Sequence, residues 1–184
     1  MQFFALASAL LLLTTVTAHA QAAQVDRIEF TEYGIYTVDR VIQEKDAAGI
    51  NKAAASNVRH AATLRTVPAQ IGTTFGFRYK LAGTPNGTPV NLREIVIFPP
   101  TGLVPKESSS PIVQDEFTLQ SRIGEIDYAA YTLEDSFELV TGEWTIEIWY
   151  GDQKLGTQGS ELLIRSPSAS RNARASNAPS PSSE

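Results

Sequence analysis

Between Thr74 and Leu81 the chain alternates without a break. Phe75, Phe77, Tyr79 and Leu81 fall on one side, and Gly76, Arg78 and Lys80 on the other. A period of two is the signature of a strand with one buried face. The same period recurs in Trp144, Ile146, Ile148 and Tyr150, with Thr145, Glu147 and Trp149 opposite. These two stripes are the expected centre of the core: Phe75, Phe77, Tyr79, Trp144, Ile146 and Ile148.

Weaker stretches of the same kind fill the chain between and around them. Val25 to Val41 alternates with Ile28 and Phe30 on one face, and Gly34 in Tyr33-Gly34-Ile35-Tyr36 marks a bulge or bend. Val58 to Val67 predicts a second strand stopped by Pro68. Val90 to Phe98 ends on an apolar run before Pro99-Pro100. Phe117 to Ile123 and Tyr128 to Leu133 predict two shorter strands. Gly151-Asp152 turns the chain into a last strand, Lys154 to Ile164. Asn86-Gly87 lies between two strands and favours positive φ, so it predicts a hairpin there. Gln43 to Asn57 is rich in alanine and reads as a long loop with room for one helical turn. Seven to eight short strands with no long helical pattern between them predict an all-β fold, an antiparallel β-sandwich.

The ends are different in kind. Phe3 to Val16 is an apolar run containing Leu10-Leu11-Leu12-Leu13, shorter than the roughly 20 residues of a membrane span. Ala18-His19-Ala20 and Ala20-Gln21-Ala22 then supply small residues at cleavage spacing. Residues 1–22 therefore read as a secretory signal peptide cut after Ala20 or Ala22, and 23–165 as the folded domain. From Ser166 the composition falls to Ser, Ala, Pro, Asn and Arg. Such a segment buries too little apolar surface to offset its ordering entropy, so 166–184 is expected to be a disordered tail. No later run is apolar enough to span a bilayer, so no transmembrane segment is expected after cleavage.

Cysteine is absent. That excludes a disulfide staple, a lipid anchor on cysteine, thiol catalysis and cysteine-ligated metal. Charge is uneven. Val25 to Arg93 carries nine bases against six acids, whereas Glu94 to Glu161 carries three against thirteen. The acidic half is a poor surface for phosphate, so nucleic acid is not an expected partner.

Three segments carry a family resemblance: Glu32-Tyr33-Gly34-Ile35-Tyr36, Gly72-Thr73-Thr74-Phe75-Gly76-Phe77-Arg78-Tyr79, and Gly142-Glu143-Trp144-Thr145-Ile146-Glu147-Ile148-Trp149-Tyr150. In this order they resemble an uncharacterised bacterial exported family, domain of unknown function 3859, over most of Val25 to Ile164. The resemblance implies an Ig-like sandwich in an exported, periplasmic or secreted protein. It implies no reaction. Gly76 between two aromatics also has a physical reading: it lets another backbone approach closely.

Candidate chemistry is sparse. After cleavage only His60 remains of the two histidines, without Asp, Glu or His at metal-ligand spacing, and no Gly-x-Ser-x-Gly elbow offers a nucleophile. No metal or cofactor is expected. Paired carboxylates, which a glycosidase needs, exist only as Asp115-Glu116, Glu125 with Asp127, Glu134-Asp135, and Glu143 with Glu147. Glu147 and Glu143 share the wet face of their strand with Trp149. A tryptophan there has no obvious reason to face water, and Trp is enriched at the energetic centres of interfaces. Trp149, Glu147 and Glu143 are thus the candidate binding residues. The function expected is a non-enzymatic binding module of the bacterial envelope, acting on an envelope protein or glycan. The alternative is an envelope carbohydrate-active hydrolase using paired carboxylates.

Overall fold

The computed structural model describes residues 22–45, 50–106, 108 and 110–164. The expected signal segment, Ala22 apart, and the expected tail lie outside the described residues. The strands are β1 (Gln24–Lys45), β2 (Asn51–Ala62), β3 (Thr66–Pro68), β4 (Thr74–Thr84) and β5 (Pro89–Ile97), then β6 (Gln114–Arg122), β7 (Ile126–Thr132), β8 (Gly142–Tyr150) and β9 (Gln153–Leu163). One 3₁₀ turn, Ser136–Glu138, precedes β8. A four-stranded sheet of order β2-β1-β4-β7 faces a five-stranded sheet of order β3-β9-β8-β5-β6. The chain is an all-β, Ig-like sandwich.

The two alternating stripes are the inner faces of this sandwich. Phe75, Phe77, Tyr79 and Leu81 of β4 are fully buried, as are Trp144 and Ile148 of β8, with Ile146 nearly so. The Trp144 ring packs against Phe98, Tyr131 and Phe75 at centroid distances of 4.9, 5.2 and 5.7 Å. Its indole N–H donates to the Val140 carbonyl oxygen at 3.0 Å. The one polar handle of the largest buried side chain is thus satisfied.

The first two motif segments lie side by side. In the β1–β4 ladder Glu32 pairs with Arg78, Gly34 with Gly76, and Tyr36 with Thr74. All six residues therefore share the outer face of the four-stranded sheet. Burial pushes the Tyr36 phenol up to about 12, Glu32 adds to that rise, and Arg78 opposes it. Arg78 pairs with Glu32 at 3.4 Å and donates to the Val58 carbonyl oxygen. At Gly76 a Cβ would stand 2.0 Å from the Ala129 carbonyl oxygen, so the close backbone approach read from the sequence is present. Gly76→Ala is expected to cost about 1–3 kcal/mol through forced backbone movement. A melting temperature equal to the parent's would show that the β4–β7 ladder can open freely.

Four expectations need correction. Within the expected loop from Gln43 to Asn57, the residues through Lys45 belong to β1 and those from Asn51 to β2, paired antiparallel from Lys45–Asn51 through Asp39–Ser56, while residues 46–49 lie outside the described residues. Alanine has little strand preference of its own, but backbone pairing carried outward from a packed sheet overrides it. Asn86-Gly87 does not close a hairpin. Both edges of β4 are occupied, by β1 and β7, so β5 crosses to the other sheet between β8 and β6. Only Gly87 of that pair has positive φ, 79°, and its amide donates to the Ile123 carbonyl oxygen at 2.8 Å. Val58 to Val67 is not one strand either. It breaks after Ala62, and Val67 belongs to β3, which pairs parallel with β9 and places Val67 opposite Leu162. The count is therefore nine strands among the described residues, and one pairing is parallel. Breaking that stretch lets a single buried valine close the edge of the second sheet.

Candidate functional site

The register of the five-stranded sheet assembles a row on its outer face. Arg93 of β5 pairs with Trp149 of β8, and Trp149 pairs with Lys154 of β9. The Arg93 guanidinium lies 5.8 Å from the centre of the Trp149 ring and the Lys154 ammonium 5.5 Å from it. Both are within the range of cation–π attraction. The adjacent row carries Glu147, which is largely covered by its neighbours. Its two carboxylate oxygens are taken separately, one by the Trp149 indole N–H at 2.8 Å and the other by the Lys154 ammonium at 2.8 Å. Arg93 donates to the Gly151 carbonyl oxygen at 3.1 Å and lies 3.5 Å from Glu116. Trp149 itself is half-buried, presented on the sheet and held on several sides.

Glu143 stands apart from this cluster. It is exposed, pairs across the ladder with Glu161, and its carboxylate lies over Gly159. Four residues of strand separate it from Glu147 by about 13 Å, and the two carboxylates lean on different neighbours. The structure thus joins Trp149 with Glu147 and leaves Glu143 out. Arg93 and Lys154 are the members that sequence reading missed. Lys154 was within reach of it, because a two-residue turn at Gly151-Asp152 sets Tyr150 opposite Gln153 and Trp149 opposite Lys154. Arg93 was not, since its neighbour comes from a crossover.

The remaining acids have local work. Asp115 accepts from the Glu116 amide at 2.9 Å. The amides of Glu134 and Asp135 donate to the buried carboxylate of Glu138, which also accepts from the Tyr131 hydroxyl at 2.8 Å. His60 lies on β2, with Nε2 3.0 Å from the Tyr33 carbonyl oxygen and 3.3 Å from the Thr63 hydroxyl. Among the described residues no group of three or more His, Asp or Glu side chains is placed to hold a metal.

Glu125 and Asp127 are brought together, in an open groove of about 510 Å³ where the chain crosses from β6 to β7. Asn91, Gln120, Ser121 and Arg122 also line it. The crossover is pinned from both sides. Gly124 donates to the Leu81 carbonyl oxygen at 2.7 Å, Ile123 to that of Thr88 at 3.0 Å, and Arg122 to that of Gly87 at 3.2 Å.

A family model described as domain of unknown function, DUF3859, matches residues 24–159. The chain belongs to the DUF3859 family. The match takes in all three motif segments, so in this DUF3859 domain they are the paired glycine rows and the core strand β8. Among solved structures, the domain is similar to an immunoglobulin-like protein from Pseudomonas aeruginosa. The TM-score is 0.52 at 24% identity, covering 78% of this chain and 98% of that one. That likeness speaks to the fold. No curated protein matches the chain significantly. No helix among the described residues is long and apolar enough to cross a membrane.

Proposed function

We propose that this chain is an exported, non-catalytic binding module of the bacterial cell envelope, periplasmic or secreted. In this reading residues 1–22 direct export, 23–165 form the module and 166–184 trail from it. The observation that carries the binding role is the Trp149 row. A half-buried indole is held between strands by Arg93, Lys154 and Glu147, so its orientation is set before any partner arrives. Pre-organised aromatic surface of this kind gives contact area at low entropic cost. For the Glu143–Glu147 pair the hydrolytic alternative lacks the required geometry. Retaining and inverting enzymes need carboxyl groups about 5–9.5 Å apart across a cleft. Glu147 is committed to Lys154 and Trp149, and Glu143 is too far along the strand.

Trp149→Ala tests the reading. It removes two cation–π contacts and one donor to the Glu147 carboxylate, which keeps Lys154, so unfolding should shift by about 1–2 kcal/mol. Chemical cross-linking and retention of envelope components should nevertheless fall to background. A variant that loses stability but retains its partner unchanged would reduce Trp149 to a packing residue and remove the basis of the proposal.

A further inference from the structure

Two of the three motif segments meet on the outer face of the four-stranded sheet, away from the Trp149 row. An outer face normally meets water. Here Tyr36 is 3% exposed and Thr74 4%, and Gly34 and Gly76 are buried as well. Arg78 shows what covers them. Its guanidinium donates to the carbonyl oxygen of Val58 on β2. In the ladders Arg78 stands opposite Glu32, whereas Val58 lies between Arg59, opposite Thr37, and Ser56, opposite Asp39. A flat sheet would hold Arg78 and Val58 about 16 Å apart along the strands and about 10 Å apart across β1. That is well beyond the reach of an arginine side chain. The outer part of β2, with the stretch of β1 it pairs with, is therefore bent back over the motif face.

The bend has its own signature. The β1–β2 register shifts between Ile35 and Tyr36 and again between Thr37 and Asp39. Such irregularities bend a strand. Asn57 sits at φ 49°, in the left-handed region, and its side chain donates to the Asp39 carboxylate at 2.7 Å. Beyond the bend the two strands pair only with each other, because β4 leaves β1 at Tyr36 and β2 is the last strand of its sheet. A two-stranded ribbon is marginal by itself, so contacts with the face must hold it down. We propose that this ribbon is a hinged flap, latched shut by the Arg78–Val58 bond, and that its lifting uncovers the motif face. Two polar atoms under the flap oppose closure. Among the described residues the Tyr36 hydroxyl has no hydrogen-bond partner, and Glu32 Oε1 has only its ion pair with Arg78. Water satisfies both once the flap lifts, whereas the charge-assisted latch works the other way. Arg78 thus tips the balance.

The chain has no cysteine, so one introduced thiol reports access without background. Thr74→Cys in the full chain places it on the covered face. A soluble disulfide reagent should label it faster than global unfolding allows, because the flap opens locally. Adding Arg78→Ala should speed labelling about tenfold or more, the worth of one hydrogen bond to a charged group. The amides of Phe75 and Phe77 should meanwhile keep their protection from hydrogen exchange. Arg78→Met retains the packing of the stem but cannot donate, and it decides the matter should Arg78→Ala fail to fold. Glu32→Gln breaks the ion pair and spares the latch, so its labelling rate should stay near that of Thr74→Cys alone. Labelling unchanged by Arg78→Met would show that the bond is no latch. An equal rise with Glu32→Gln would assign the closure to the ion pair. A rise only in step with exchange of the core amides would mean that the face is reached by unfolding alone. Each of these three results would overturn the proposal. None bears on the Trp149 row, which lies on the outer face of the other sheet.

Discussion

Replacing Trp144 with alanine is expected to lower the unfolding free energy by about 3–5 kcal/mol, the largest loss of any single truncation in this core. The side chain is fully buried, lies where both sheets meet, and touches three other rings. Removing it deletes transferred apolar area, opens a cavity lined by Phe75, Phe98 and Tyr131, and leaves the Val140 carbonyl oxygen without its donor. With no cysteine in the chain, no covalent cross-link can compensate. Denaturant titration followed by circular dichroism reads the effect. A loss below about 1 kcal/mol would mean that the sheets close over the gap, contrary to the tight packing of protein interiors.

Glu138→Ala is expected to cost nearly as much, about 3–5 kcal/mol, for a different reason. The carboxylate is 1% exposed and accepts from the Tyr131 hydroxyl and from the Glu134 and Asp135 amides. Alanine would strand three donors below the entrance to β8. Burial pushes the Glu138 carboxyl above its ordinary value, although the three donors pull it back. The sign of the pH dependence follows. Between the ordinary value and the raised one, the folded state holds a proton that the unfolded state has released, so stability falls as pH rises through that window. Below the ordinary carboxylate range the contribution of this group is fully present. Glu138→Gln resembles the protonated form and should flatten the slope while retaining most of the stability. A slope unchanged in Glu138→Gln would assign the dependence to other carboxylates. Burial also pushes the Tyr131 phenol far upward, with Glu138 as the next cause, so the phenol stays protonated as the donor of this pair.

Much of the candidate surface is legible in the sequence. Period-two patterning put Trp149 and Glu147 on the face opposite Trp144, and that is where they lie. It also put Glu143 there, but a shared face is not a shared site. Strand rise carries Glu143 away from Glu147, and the ladder gives it Glu161 and Gly159 as neighbours. The groove shows the converse: Glu125 and Asp127 were visible as a pair, whereas Asn91 and Gln120 join its lining only because β5 and β6 pair.

What the sequence by itself determined is whatever depends on neighbours along the chain. Alternation decided which residues of β4 and β8 enter the core, glycine between aromatics announced a close backbone approach, and absent cysteine and scarce histidine removed whole classes of chemistry. Tertiary structure decided whatever depends on which edges were already occupied. Asn86-Gly87 has hairpin chemistry, yet β4 was filled on both sides and the chain crossed to the second sheet. The Ala-rich stretch has no strand preference, yet it continues a ladder begun at Tyr36 and Ile35. Local preferences amount to tenths of a kcal/mol per residue, whereas a sheet register is set by packed faces and backbone hydrogen bonds formed together. The crossover that placed Arg93 beside Trp149 belongs to that second kind of choice.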